Sequence, residues 1–330
     1  MKILFVCKDR GAYKHGKFGL WNSASLVVNA IQSEDVNCKL VAVIDANYID
    51  KEVYIYKPNI VIIEAIFVTP QKIRELVKLH PNVKWVIRLH SKISFLANEG
   101  NAFNWINEYS QIKNVTVSTN NLEINNDLKQ IGYEPLYLPN IYTPSYELKR
   151  VINRFKDSEI NIGCFGALRP MKNTLAQAVA AIRFADKIGK HLKFHINENS
   201  DGGIDNILKN LRAIFSYSNH KLVEHSWMPH KDFCKLVSTM DIGMQVSFTE
   251  SFNIVTADFV YAGIPVVVCK EIKFVNSLFK CDNNTEQMIR TLYLAYYGDR
   301  FNLQYINKHL LDKSNREALR EWTTYVSKQS

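Results

Sequence analysis

The sequence predicts an α/β protein made of two doubly wound, Rossmann-like domains that face each other across a cleft. Continuous apolar runs of about four to six residues indicate strands buried on both faces of a sheet. Amphipathic helical patterns separate these runs, as expected for parallel sheets covered by helices. The alternation restarts near residue 160, and 330 residues are enough for two domains with separate cores.

The first half alternates strand-like and helical patterns from its start. Helices are predicted over 23–33 and 70–80. The predicted strands are KILFVC (2–7), CKLVAVID (38–45), NIVIIEAI (59–66), KWVIRLH (84–90), VTVSTN (115–120) and PLYLPN (135–140).

The second half repeats the alternation. The first of its predicted helices ends at Gly189, and the third has Pro229 at its start, the positions that each residue prefers. The predicted helices cover 172–189, 207–218, 229–240 and the region from 284 onwards. The predicted strands are NIGCFGAL (161–168), HLKFHIN (191–197), HKLVEHSW (220–227), DIGMQVSF (241–248) and IPVVVC (264–269).

The restart of the pattern sets the expected domain organisation. We expect one domain over residues 1–150 and a second over 151–330, joined around residues 141–158. The last helix is a candidate to pack back onto the first domain. Doubly wound sheets bind ligands beyond the carboxyl ends of their strands, so two such domains would enclose a ligand-binding cleft.

Composition and charge exclude several classes of protein. With 47% hydrophobic and 22% charged residues, the chain has a globular rather than a disordered composition. No apolar run approaches the roughly 20 residues of a membrane span. The N-terminal run MKILFVC meets charge too soon for a signal peptide, so we expect a cytoplasmic protein. The net charge of +9, spread over both halves, favours an anionic partner such as phosphate, nucleic acid or a membrane surface.

The six cysteines predict neither a disulfide framework nor a zinc finger. No two of them have C-x-x-C spacing, and no cysteine–histidine cluster has zinc-finger spacing. Cys7, Cys164 and Cys269 fall inside strand-like apolar runs. We interpret the cysteines as small buried side chains in a reducing compartment.

The stretch SFTESFNIVTADFVYAGIPVVV (247–268) joins a predicted strand to a predicted helix. The helix is expected to begin at SFN and to end at Gly263, just before Pro265. The first N–H groups of a helix have no partner within it, and the helix dipole favours an anion, so this terminus suits a phosphate. The N–H groups expected to point outwards are those of Ser251, Phe252, Asn253 and Ile254.

Two acids accompany this helix. Glu250 precedes it, and Asp258 lies about two turns into it, near the same azimuth. One acid could then meet a sugar and the other a ribose, with a diphosphate between them. The alternative is that Glu250 caps the helix and Asp258 is an ordinary polar position. Glutamate is a poor cap, however, and a buried acid on an apolar helix needs a partner.

The run ESFNIVTADFVYAGIPVV resembles the E-x7-E signature of retaining glycosyltransferases with the GT-B fold, particularly those of family 4. The matching residues are Glu250, Phe252, Ala262, Gly263, Pro265 and Val266. The sequence departs from the signature at Asp258, where the family has glutamate, and at Ser251 and Asn253, where glycines are usual. The resemblance implies that Glu250 lies by the donor sugar and that Asp258 holds the ribose hydroxyls with a side chain one methylene shorter.

The run CFGALRPMKN (164–173) resembles a second motif of this family, G-R-L-x-x-x-K-G, whose Arg and Lys clamp the donor diphosphate. Gly166, Leu168 and Lys172 align with it. Ala167 stands where the Arg is expected, and we interpret Arg169 as taking over its charge. The alternative is that Arg169 and Lys172 are solvated loop residues.

Two stretches of the first half complete the resemblance. His90, in VIRLHSK (86–92), matches a family histidine that points towards the donor sugar, although a lone histidine is more often structural. The loop CKDRGAYKHGKFG (7–19) borders the acceptor in these enzymes. It is not a G-x-G-x-x-G fingerprint, and its alternative is a solvated basic loop. The acceptor-side candidates are Arg10, Lys14, His15 and Lys17.

The resemblance implies a retaining glycosyltransferase that moves a sugar from a nucleoside diphosphate sugar to an acceptor hydroxyl. A UDP-sugar is the favoured donor, and no further cofactor is expected. Domain 1–150 would bind the acceptor and domain 151–330 the donor. The chain has no D-x-D motif, so the positive clamp is expected to stabilise the leaving diphosphate without a metal. The predicted catalytic residues are Glu250 and His90. The predicted donor-binding residues are Gly166, Arg169, Lys172, Ser251, Phe252, Asn253, Ile254 and Asp258.

The basic charge favours a phosphate-rich acceptor. The two candidates are an envelope glycan, or its lipid-diphosphate carrier, and DNA with a hydroxymethylated base that must leave the stack. Two rival functions stay open at this point. One is a sugar-nucleotide epimerase on the same fold, and the other is a non-catalytic protein that binds a nucleotide or polyanion. The sequence leaves the oligomeric state open.

Overall fold

The computed structural model of the protein describes residues 1–9, 19–148, 150–151, 158–198 and 206–329. Its contacts divide these residues into two compact units. The first unit holds the described residues up to Pro144 and those from Ser314 onwards, and the second begins at Ser145 and ends at Lys313. Each unit contains one six-stranded parallel sheet with helices around it, so the predicted α/β fold class is confirmed. None of the helices in the described residues combines the length and apolar character that a bilayer crossing requires.

The first sheet has the strand order β2-β1-β3-β4-β5-β6. Its strands are β1 Lys2–Lys8, β2 Asn37–Val43, β3 Ile60–Glu64, β4 Lys84–Leu89, β5 Val115–Thr119 and β6 Leu136–Tyr137. The helices between them are α1 Gly19–Ile31, α2 Asn47–Tyr56, α3 Pro70–Leu79, α4 Ile93–Leu96, α5 Ala102–Ser110 and α6 Leu122–Gln130.

Both faces of the first sheet are buried, which explains its unbroken apolar runs. Successive side chains of a strand point to opposite faces. Leu4 and Val6 accordingly belong to one apolar cluster and Ile3 and Phe5 to another.

The C-terminal helix completes the second of these clusters. This helix, Tyr305–Ser327, contributes buried Trp322, whose ring centroid lies 5.9 Å from that of Phe5. Trp322 Nε1 donates to the Pro139 carbonyl at 2.7 Å. Asn315 exchanges two hydrogen bonds with the Tyr142 backbone, at 2.8 and 2.7 Å. The last turns of the chain are therefore part of the first unit's core.

The second sheet has the order β12-β11-β10-β7-β8-β9. Its strands are β7 Glu159–Gly163, β8 His191–Asn197, β9 Lys221–His225, β10 Ile242–Gln245, β11 Val266–Cys269 and β12 Lys280–Cys281. The helices of this unit are α7 Thr174–Lys187, α8 Asn206–Ser216, α9 His230–Val237, α10 Ile254–Tyr261 and α11 Thr285–Gly298, and the C-terminal helix is α12. Ligands of such sheets bind where the strand order reverses, which here is between β7 and β10.

Two glycines let helix α10 lie close to this reversal point. A Cβ added to Gly243 on β10 would lie 2.7 Å from the Phe259 ring, and one added to Gly163 on β7 would lie 2.9 Å from it. Contacts this short do not occur, so only glycine allows Phe259 to pack directly on the two central strands. The helix ends at Tyr261, and the predicted glycine stop, Gly263, follows its cap with a φ of +72°, in the left-handed region that glycine favours.

Candidate functional site

The loop after β7 carries the predicted residues Gly166, Arg169 and Lys172. Gly166 has a φ of +118°, which glycine adopts readily, and its N–H donates to Asn197 Oδ1 at 2.8 Å. Arg169 is exposed and precedes a short 3-10 turn, Pro170–Lys172. The loop therefore brings two cationic residues to the carboxyl end of β7, beside the reversal point of the sheet.

Glu250 meets this loop through Lys172. Lys172 Nζ lies 2.5 Å from Glu250 Oε1, and the same oxygen accepts from Ser247 Oγ at 2.6 Å and from Asn253 Nδ2 at 3.0 Å. All three donors converge on Oε1, so Oε2 is left without a hydrogen-bond partner among the described residues. Glu250 is buried, whereas Lys172 is 31% exposed. The Glu250 carboxylate is thus fixed by hydrogen bonds, and the Lys172 ammonium group beside it is accessible to solvent and ligands.

The start of α10 differs from the prediction. The helix begins at Ile254, not at Ser251, and its cap is Asn253, whose side chain accepts from Thr256 N at 2.9 Å. Asn253 has a φ of +63° and donates to Gln245 Oε1 at 3.0 Å, which ties the cap to β10. Asparagine tolerates this backbone better than most residues and is a preferred cap. Glu250 is therefore not the helix cap, and Ser251 and Phe252 belong to the turn before the helix.

A second acid, Glu271, lies at this turn and was missed by the sequence analysis. Its Oε2 accepts the backbone N–H of Glu250 at 2.6 Å. Glu271 follows strand β11, and its position two residues after an apolar strand end gave no motif to identify it. The backbone of Glu250 is thereby fixed from a neighbouring strand.

Asp258 is buried and has the partner that its burial requires. His230 Nε2 lies 2.7 Å from Asp258 Oδ1, and Cys234 Sγ lies 3.4 Å from the same oxygen. Burial alone lowers the pKa of His230, but the Asp258 carboxylate outweighs it and the pKa of His230 lies above its ordinary value. Glu250 thus pairs with Lys172 and Asp258 with His230, so each acid has its own basic partner.

His90 lies in the first unit, where both of its ring nitrogens are used. Nε2 hydrogen-bonds the buried Glu64, and Nδ1 accepts from Asn120 Nδ2 at 3.2 Å. Arg88 in turn donates to both Glu64 oxygens, at 3.1 and 3.0 Å, and to Asn140 Oδ1 at 2.6 Å. The imidazole is therefore part of a buried polar network.

The network sets the charges of its members. Burial alone raises the pKa of Glu64, but Arg88 and His90 outweigh it and hold that pKa below its ordinary value. Burial lowers the pKa of His90, against the opposing effect of Glu64. His90 is consequently a neutral ring with a hydrogen-bond partner at each nitrogen, and its catalytic role stays a prediction.

The acceptor-side candidates Arg10, Lys14, His15 and Lys17 lie outside the described residues. Lys8, the last residue of β1, is exposed. The role of this loop stays a prediction.

Comparison with solved structures identifies known proteins of the same fold. No protein-family model matches the chain, and no curated protein matches it by sequence. Solved structures do match over almost the whole chain. Anabaena HepE in complex with UDP-glucose has a TM-score of 0.70 at 13% identity, covering 98% of this chain and 100% of that one. Sucrose-phosphate synthase from Thermosynechococcus elongatus has a TM-score of 0.74 at 10% identity, covering 100% and 99%.

A third similar structure is the lipopolysaccharide outer core galactosyltransferase WaaB, with a TM-score of 0.67 at 10% identity and full coverage of both chains. These proteins are glycosyltransferases of the GT-B class, and the chain has their fold. The particular signature of family 4 stays a resemblance carried by Glu250 and the residues around it.

Proposed function

We propose that the protein is a glycosyltransferase that transfers a sugar from a nucleoside diphosphate sugar to an acceptor hydroxyl. The observation that carries the proposal is the Lys172–Glu250 pair, held between the carboxyl ends of β7 and β10. Doubly wound sheets bind ligands at this reversal point. The pair places a cation there for a diphosphate and a carboxylate for sugar hydroxyls. The structural likeness to HepE with UDP-glucose supports a UDP-sugar as the donor.

In this proposal Lys172 and Arg169 bind the donor diphosphate. Both belong to the β7 loop, and Lys172 is accessible enough to exchange Glu250 for a phosphate oxygen. Cations that face the leaving group stabilise the negative charge that develops on it, so no metal is required in the clamp. The backbone N–H groups at the start of α10 add donors for the same anion.

Glu250 is proposed to orient the donor sugar through its unpartnered Oε2. Three donors fix Oε1, and Glu271 fixes the backbone, so the free oxygen is preorganised. We propose retention of the anomeric configuration, in which the departing phosphate takes the acceptor proton. Asp258 is the candidate ribose contact, and the catalytic role of His90 is proposed from its match to the family histidine alone.

For the acceptor we propose an anionic glycan of the cell envelope. The net charge of +9 favours a phosphate-rich acceptor, and the similarity in fold to an outer core galactosyltransferase agrees with a glycan. Hydroxymethylated DNA is the competing acceptor, supported by charge alone. Its binding would fall steeply with salt because each neutralised phosphate releases counterions.

A donor screen tests the proposal. UDP-, GDP- and ADP-sugars are added in turn, in EDTA, and the melting temperature and release of free nucleotide are measured. A ligand that binds the folded state raises its stability by mass action, so the correct donor should raise the melting temperature. Nucleotide release should increase when a glycan acceptor is added. If no donor shifts the melting temperature and none is consumed, the proposal is wrong.

A further inference from the structure

Three side chains of different metal-ligating types converge in the second unit. His230 and Cys234 lie one turn apart on α9, and Asp258 comes from α10. His230 Nε2 is 2.7 Å from Asp258 Oδ1 and 3.6 Å from Cys234 Sγ, and Sγ is 3.4 Å from Oδ1. The atoms form a small triangle, and each can bind a metal ion.

The triangle has nearly the dimensions of a zinc site. Nitrogen, sulfur and oxygen ligands at usual zinc bond lengths lie about 3.4–3.6 Å apart in a tetrahedral site. The two distances to Cys234 Sγ already have these values. The Nε2–Oδ1 distance is that of a hydrogen bond, and it would open by about 0.7 Å when the ion replaces the shared proton.

The surroundings of the triangle also suit a metal. His230 Nδ1 lies 3.0 Å from Tyr146 Oη, so the nitrogen that does not bind the metal has a partner that fixes the ring. Cys234 and Asp258 are buried, whereas His230 is 17% exposed. The imidazole edge therefore gives solvent, and an entering ion, a route to the site.

We propose that His230 Nε2, Cys234 Sγ and Asp258 Oδ1 bind one zinc ion, with water at the fourth position. On binding, the Cys234 S–H and His230 Nε2–H bonds break, Zn–S and Zn–N bonds form, and both protons leave to solvent. His230 carries its remaining proton on Nδ1, which donates to Tyr146 Oη. A mixed nitrogen, sulfur and oxygen set favours zinc over magnesium or calcium, which prefer oxygen ligands alone.

The site would join α9 to α10, the helix that follows Glu250. It uses none of the proposed diphosphate clamp, and so goes beyond the proposed function. It also makes a specific demand on Asp258. With Oδ1 bound to zinc, the proposed ribose contact would have to be made by the other oxygen of Asp258, Oδ2.

Titration of the full chain with cobalt and zinc tests the site. Protein stripped with EDTA and desalted receives Co²⁺, and the thiolate-to-cobalt charge-transfer band is recorded in the absence of nucleotide. Zinc affinity is then measured by competition with a chromophoric chelator. The variants are Cys234→Ala and His230→Gln, and the matched control is Cys281→Ala, another buried thiol of the same unit. Circular dichroism verifies that each variant folds.

The wild type and the Cys281→Ala control should bind one zinc per chain and show the cobalt–thiolate band. Cys234→Ala should lose the band. Loss of an outer partner of a metal ligand costs roughly 10–100-fold in affinity, so loss of a ligand should cost at least about 100-fold in both variants. His230→Gln tests the site if Cys234→Ala does not fold. No cobalt–thiolate band in the wild type, or zinc affinity in His230→Gln equal to the control, overturns the proposal. Donor binding in EDTA tests the proposed function separately.

Discussion

Replacing Lys172 by methionine isolates the contribution of one charge to donor binding. Methionine keeps most of the apolar volume of the side chain and removes the ammonium group. The chain offers a matched control in Lys193, which also pairs with a glutamate in the second unit. The Lys193–Glu159 distance is 2.6 Å and Lys193 is 35% exposed, against 2.5 Å and 31% for Lys172. The two substitutions therefore remove lysines of similar exposure and pairing distance, one inside the proposed site and one outside it, although Glu159 is 45% exposed and Glu250 only 9%.

The expected loss follows from the exposure of Lys172 and its existing partner. A hydrogen bond to a charged group contributes about 1.5–3 kcal/mol. Lys172 is about one third exposed, so solvent screens the interaction, and binding UDP replaces the Glu250 contact rather than adding one. Both effects favour the lower limit, about 1.5 kcal/mol, which is about a tenfold increase in Kd.

Calorimetric titration with UDP in EDTA measures this change directly. Lys172→Met should raise the Kd for UDP about tenfold, and Lys193→Met should leave it within about twofold of the wild type. Low ionic strength should enlarge the difference because it weakens screening. Equal affinities for the two variants would refute the assignment of Lys172 to the diphosphate clamp.

Three further outcomes are expected. Glu250→Gln removes the charge that competes with UDP for Lys172, so the affinity for UDP should stay the same or rise. Both kcat and kcat/KM should fall together by at least about tenfold. A normal kcat with a raised KM would reduce Glu250 to a binding role. Burial lowers the pKa of His195 from 6.5 to about 3 in the folded protein. As the pH falls below 6.5, this histidine therefore takes up a proton in the unfolded protein but not in the folded one. The free energy of unfolding should therefore drop by about 1.4 kcal/mol more between pH 7.5 and 5.5 in the wild type than in His195→Gln, and equal pH slopes in denaturant titrations would contradict this. Gly243→Ala places a Cβ 2.7 Å from Phe259 and should destabilise the protein by about 1–3 kcal/mol. The control Gly100→Ala, whose Cβ meets nothing within 4 Å, should not destabilise it. Similar melting temperatures for the two variants would show that α10 can move aside.

The parallel sheets were predictable because burial on both faces leaves a strong local signal. Runs such as NIVIIEAI and IPVVVC have no polar alternation, and that pattern alone favours strands in the middle of a covered sheet. The end of α10 was predictable for the same reason, since Gly263 and Pro265 act locally. The start of α10 was predicted three residues too early, because Asn253, which also donates to Gln245 on β10, caps the helix by accepting from Thr256 N.

The site was predictable only where it matches a motif. Lys172 and Glu250 were named from their motifs, and the structure brings them together across 78 residues of sequence. Glu271 was missed because its contact is with a backbone group, which no side-chain pattern records. His230 and Cys234 did carry a signal, a four-residue spacing on one helix face, but their third partner comes from another helix.

The C-terminal helix has a consequence for the synthesis of the chain. Asn315 bonds Tyr142 from 173 residues further along the sequence, and Trp322 covers Phe5. At ordinary translation rates the ribosome needs roughly 10 to 35 seconds to cross that interval. During this time all six strands of the first sheet have been made, but one of its apolar faces lacks the part of its cover that the C-terminal helix supplies. The first unit is thus the first to be synthesised and among the last to be finished, and a nascent chain arrested before Ser314 should be a chaperone substrate.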